Sequence, residues 1–140
     1  MKNPYYVLWA SALCGQIKFY PKDKDWLSKI FSLFTLLNSI NLATIVIWIT
    51  ILHGKIAFLQ IQFDIFPGTL LDKAFEYLVF FYSPFAIINY FFVIRKKKYI
   101  KIMDKYGIGK RKYFGYYVVI TAFLFFIAVF VYGILNNFGF

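Results

Sequence analysis

Charge is scarce in this sequence. Charged residues fill 16% of the 140 positions, where a soluble domain carries roughly 25%, and only six of them are acidic. With one cysteine, Cys14, no internal disulfide can form. One histidine, His53, and that single cysteine also exclude a zinc cage made of His and Cys alone. The carboxylates are Asp23, Asp25, Asp64, Asp72, Glu76 and Asp104. None lies deep within an apolar run, whereas proton relays and ion pathways place ionisable groups there. No nucleophile stands with a base beside it. These absences argue against an enzyme, a metal centre, a cofactor and a transport pathway through one chain.

What is present is apolar and aromatic. Hydrophobic residues reach 61%, above the roughly 45–50% of soluble domains, and 19 Phe, 12 Tyr and 3 Trp bring the aromatic share to 24%. That composition disfavours a water-soluble globule and a disordered chain alike, leaving an integral membrane protein of one domain. Residues 30–52 carry no charge and, at about 1.5 Å per residue, cross a hydrocarbon core of roughly 30 Å. Asp25 is placed to cap this span and Gly54 to end it. A second span covers 74–94, with Glu76 near one end and a kink expected at Pro84, whose freed carbonyl partner neighbouring helices can satisfy. The third, 114–135, is again uncharged. The N-terminal YYVLWASALCGQI is too short to cross and predicts an interfacial helix. A cleaved signal fits poorly, because Lys2 is the sole basic residue ahead of it, no Ala-x-Ala site follows, and Leu13 is too large for lipoprotein processing at Cys14.

The net charge of +10 reads first as topology, since Lys and Arg stay on the cytoplasmic side. With three spans, the N-terminal segment and the loop between spans two and three share a side and hold fourteen of the sixteen basic residues; Lys55 and Lys73 remain on the other. The sequence therefore predicts an all-α membrane protein, with three transmembrane helices and an N-terminal interfacial helix, N-terminus inside and C-terminus outside.

Within the basic loop 95–113, Tyr99, Ile102, Met103 and Tyr106 recur at helical spacing, so a helix continuing from span two would carry an apolar edge and a lysine-rich face. Gly107 would end it. Arg95, Lys96, Lys97, Lys98, Lys101, Lys105, Lys110, Arg111 and Lys112 are expected to meet anionic lipid headgroups. Interleaved lysines and aromatics also occur where single-stranded nucleic acid binds, but helical spacing and the adjoining spans account for them here, and no nucleic-acid partner is expected. Gly107-Ile108-Gly109-Lys110 lacks the spacing of a phosphate loop and reads as a turn.

Polar residues inside the spans mark helix–helix or partner contact, with Asn38, Asn41, Asn89 and Thr121 as candidates. Thr35, Asn38, Ser39 and Asn41 cover one side of span one; Ser83, Ala86 and Tyr90 form a small and polar edge on span two; Tyr117, Thr121, Ala128 and Tyr132 share a face of span three. Bundle packing explains such a seam, and part of it facing another membrane protein is the sharper alternative. In the outer loop, Leu59, Ile61, Phe63 and Ile65 alternate with polar residues, which predicts a short extended segment. Pro67-Gly68 predict a turn, and Thr69 with Asp72 a capping box.

The layout from Ser83 to Leu135, an aromatic span ending INYFFVIRKKKYIKI, a KYGIGKRK turn and an Ile/Phe-rich span, resembles small uncharacterised integral-membrane proteins of AT-rich bacterial genomes. More distantly it is similar to the immunity proteins that protect cells from pore-forming colicins, which are also small, basic and three-spanning. The resemblance covers a little over a third of the chain and carries no functional residue across, because the N-terminal segment and the long outer loop depart from the immunity layout. It implies a multi-pass protein of the bacterial inner membrane acting by protein–protein contact in the bilayer, as an immunity protein against a membrane-active toxin. The alternative is an accessory subunit of a larger inner-membrane complex for transport, secretion or respiration.

Overall fold

The computed structural model describes residues 3–19, 21–22, 24–53, 70–106 and 112–138, and every element among them is helical. Helix α1 (Pro4–Phe19) starts where Asn3 accepts the Tyr5 N–H on its side-chain oxygen at 3.0 Å and Pro4 takes the first helical position, whose N–H would have no partner anyway. Helix α2 (Trp26–His53) follows Asp25, whose backbone carbonyl accepts the Lys29 N–H at 3.1 Å. Its 28 residues give about 42 Å, more than the roughly 30 Å of a hydrocarbon core. Gly54, the extended segment at 59–65, the Pro67-Gly68 turn, Thr69 and the turn at 107–110 lie outside the described residues.

The second long apolar stretch is not a plain α-helix. Helix α3 (Leu70–Tyr77) widens into a π-turn over Leu78–Tyr82, returns to α-geometry as α4 (Ser83–Asn89), and widens again over Tyr90–Ile94. The first π-turn ends beside Pro84, which sits in the opening turn of α4. There the Ser83 N–H reaches back to the Leu78 carbonyl, so the widened turn lies directly before proline, which has no N–H to give to the ladder.

The sharp break comes later. Arg95 leaves helical geometry (ψ 132°), and Lys96 and Lys97 take the left-handed region with φ of 59° and 53°. Non-glycine residues occupy that region at a cost of order 1–3 kcal/mol each. Helix α5 (Lys98–Tyr106) begins directly afterwards. The basic segment is therefore a separate helix folded back from the span, not the continuation that its spacing predicts. Helix α6 (Lys112–Phe138) is the last element, and its apolar window has the highest mean hydropathy, 2.8. Three helical stretches, Trp26–His53, Leu70–Tyr106 and Lys112–Leu135, are long and apolar enough to cross a membrane.

Helix α2 is the axis of the bundle. It lies along α6, against the stretch from Leu78 to Asn89, and against α1, and 44% of its apolar window is buried, compared with 11% in each of the other two. Helix α1 wedges between α2, α5 and α6. Five consecutive residues, Trp9 to Leu13, are buried in it; a helix lying flat on a surface would bury one stripe only. Phe34 is the centre of the core. Trp9 stacks on it at 4.3 Å, Phe114 and Tyr117 stack at 5.7 Å, and Tyr5 meets it edge-on.

The ends of the elements come together consistently. Trp26, at the start of α2, meets Tyr99 of α5 at 6.0 Å, and Tyr6 of α1 meets Tyr106 at 6.1 Å. At the start of α6 the Phe114 N–H, one of the donors a helix cannot satisfy itself, donates to Ser11 Oγ at 3.1 Å. Thus α1, α5 and the first turns of α2 and α6 share one end of the bundle.

Candidate functional site

Three features of the folded chain bear on what it can do: the polar seam, the basic end, and the outer face of α6. In the seam, polar residues of α2 reach three neighbours. Thr35 Oγ1 accepts from Asn89 Nδ2 at 2.9 Å, and Asn89 Oδ1 accepts from the Tyr5 hydroxyl, so one fully buried amide ties α4 to α2 and α1. Burial pushes the Tyr5 phenol above its ordinary pKa. Ser39 bonds the Leu36 carbonyl at 2.8 Å and lies 3.0 Å from the Tyr77 hydroxyl. On the α6 side, Tyr117 Oη donates to Asn38 Oδ1 and accepts from Asn41 Nδ2, both at 2.7 Å. Thr121, one turn further along α6, is buried.

The seam departs from the expected faces in two places. On the second span the inward line is Asn89 and Val93, both fully buried, while Tyr90 is 49% exposed. A π-turn holds one more residue than an α-turn, so the π-turns on either side of α4 shift which residues face α2. On α6 the stripe runs inward through Thr121 and Ala128 but ends before Tyr132, which is exposed. Ser11 and Tyr5 have no counterpart in the sequence reading. The Asn3-Pro4 pair announces the helix that carries them, but their partners lie 103 and 84 residues away.

At the basic end, Arg95, Lys96, Lys97, Lys98, Lys101, Lys105 and Lys112 are exposed; Lys110 and Arg111 lie outside the described residues. Two adjoining hollows meet here. One, of about 310 Å³, is lined by Phe91, Phe92, Arg95, Lys96 and Lys98. The other, of about 330 Å³, shares Phe92 and Lys98 and continues past Lys101 and Lys105 to Tyr6 and Tyr106. The Arg95 guanidinium sits over the Phe91 ring at 5.0 Å, Lys98 Nζ donates to the Phe91 carbonyl at 3.1 Å, and Lys105 Nζ lies 5.4 Å from the centre of the Tyr106 ring.

The outer face of α6 has a different character. Phe123, Phe126 and Phe130 are exposed and, with Ile127 and Val129, line a shallow apolar cleft of about 470 Å³. Among the described residues no three His, Cys, Asp or Glu side chains gather in a metal-binding arrangement. Comparison with known proteins adds no relative: no family model matches the chain, and neither a curated protein nor a solved structure is detectably similar to it.

Proposed function

We propose that this chain is a non-enzymatic, multi-pass protein of a bacterial inner membrane that acts by protein–protein contact within the bilayer, as an immunity-type protein against a membrane-active toxin. The division of its surfaces carries the contact reading. Asn38, Asn41, Asn89 and Tyr117 bond within the bundle, whereas the cleft around Phe126 and Phe130 faces outward, with both rings 70% exposed. Lipid tails are as apolar as these rings, so helices associate in a bilayer through shape and close packing rather than hydrophobicity. A cleft between phenylalanines offers such a shape to an incoming helix.

The same reading places α1 at the cytoplasmic interface and the lysines beside anionic headgroups. Two independent observations support it: fourteen basic residues fall in the N-terminal segment and the loop after span two, and α1, α5 and the first turns of α2 and α6 meet at one end of the bundle. The test is protection. In a sensitive strain, the product of the adjacent gene, if toxic, should kill cells lacking this chain and spare cells carrying it, and Phe126→Ala with Phe130→Ala should abolish protection while the protein stays in the membrane. Equal killing with and without the membrane-inserted chain removes the immunity reading. Co-purification of a defined inner-membrane complex would then favour the accessory-subunit role.

A further inference from the structure

We infer that the groove between α1, the end of the second span and α5 is a discrete seat for one anionic phospholipid, with its phosphate held by Lys98, Lys101 and Lys105 and its acyl chains lying along Phe91 and Phe92. The three lysines fall at i, i+3 and i+7, which places them on one stripe of α5. Among the described residues, no carboxylate lines either hollow. The left-handed residues Lys96 and Lys97 make this possible, because the reversal brings α5 back beside Arg95 and Phe92. A straight continuation would carry the lysines away from the span.

The floor of the groove selects the occupant. Phe91 and Phe92, 45% and 51% exposed, belong to the last turns of an apolar stretch long enough to cross a bilayer. An acidic peptide or a nucleic acid would answer the lysines and leave these rings uncovered. A phospholipid supplies an anion and apolar chains joined at the right place, and basic pockets at the cytoplasmic ends of transmembrane helices bind anionic headgroups for this reason. Contacts already present steady the cations. Arg95 rests on the Phe91 ring, and Lys98, with one N–H on the Phe91 carbonyl, keeps two donors for the phosphate.

The inference rests on the chain residing in a bilayer, which resistance of the membrane-bound protein to alkaline extraction tests separately, and it does not depend on any protein partner. Delipidated protein in a neutral detergent would be titrated with phosphatidylglycerol or phosphatidylcholine, and the bound lipids counted by native mass spectrometry. One phosphatidylglycerol per chain should bind saturably and in strong preference to phosphatidylcholine. Changing Lys98, Lys101 and Lys105 together to Gln should weaken it about a hundredfold, from about fivefold per lysine near a membrane surface. Changing Lys18, Lys22 and Lys24, which line neither hollow, to Gln removes the same charge and should weaken binding by no more than about fivefold, since exposed charges that do not touch the phosphate are screened by salt. All six side chains are exposed, and an unchanged melting temperature without added lipid verifies that each variant is folded. Equal weakening by the two triple variants, equal binding of phosphatidylcholine, or full competition by inorganic phosphate at a comparable concentration would each overturn the proposed seat.

Discussion

Tyr117→Phe removes a single oxygen at the contact between α2 and α6. The ring should stay, because it is held 5.7 Å from Phe34 in a near-parallel stack, so packing is conserved while two hydrogen bonds of 2.7 Å, to Asn38 and from Asn41, are lost. Interhelical hydrogen bonds in membranes contribute about 0.6 kcal/mol on average and up to about 1.7, so the loss should be about 1–3 kcal/mol. Reversible unfolding in mixed micelles, followed by tryptophan fluorescence, measures it. Replacing Asn38 and Asn41 with Leu in parallel closes a double-mutant cycle. The coupling should recover most of the Tyr117→Phe loss, because a phenol whose partners are already gone has nothing left to lose. If Tyr117→Phe is as costly with both asparagines absent as with both present, the hydroxyl does not join these helices.

Two further outcomes follow from the core. Phe34→Ala deletes the ring on which Trp9, Phe114, Tyr117 and Tyr5 converge and should cost about 3–5 kcal/mol, read as a lowered unfolding midpoint in the same micelles; a loss near zero would mean that α1 does not dock there. Ser11→Ala strips the partner from the Phe114 N–H and should cost about 1 kcal/mol, in the range of a lost helix cap. Its amide hydrogen exchange should rise at the start of α6 and not along α2, and uniform exchange would contradict the capping role.

The long apolar helices were legible in the sequence because a run of about twenty residues with almost no charge has few other solutions, and α2 and α6 extend past those runs by only a few residues at their ends. The polar positions were legible for a related reason: an amide in hydrocarbon needs a partner, and Asn38, Asn41 and Asn89 have one in the bundle. Which partner each takes was not. Asn89 bonds Tyr5 and Thr35 across 84 and 54 residues, and its inward direction depends on π-turns that leave no mark in hydrophobic periodicity. Lys96 and Lys97 were equally opaque, since neither glycine nor asparagine signals their left-handed backbone. The short α1 could be recognised as a helix, but its burial from Trp9 to Leu13 depends on the aromatic shell supplied by α2 and α6.

Three crossings that leave the basic end in the cytoplasm can be read from cysteine accessibility. In a Cys14→Ser background, single cysteines would replace Lys101 on α5 and His53 at the far end of α2, both exposed. An impermeant thiol reagent applied to intact spheroplasts should label the His53→Cys protein at once and the Lys101→Cys protein only after permeabilisation. Labelling of Lys101→Cys in sealed spheroplasts, or equal labelling of both positions before permeabilisation, would contradict the account.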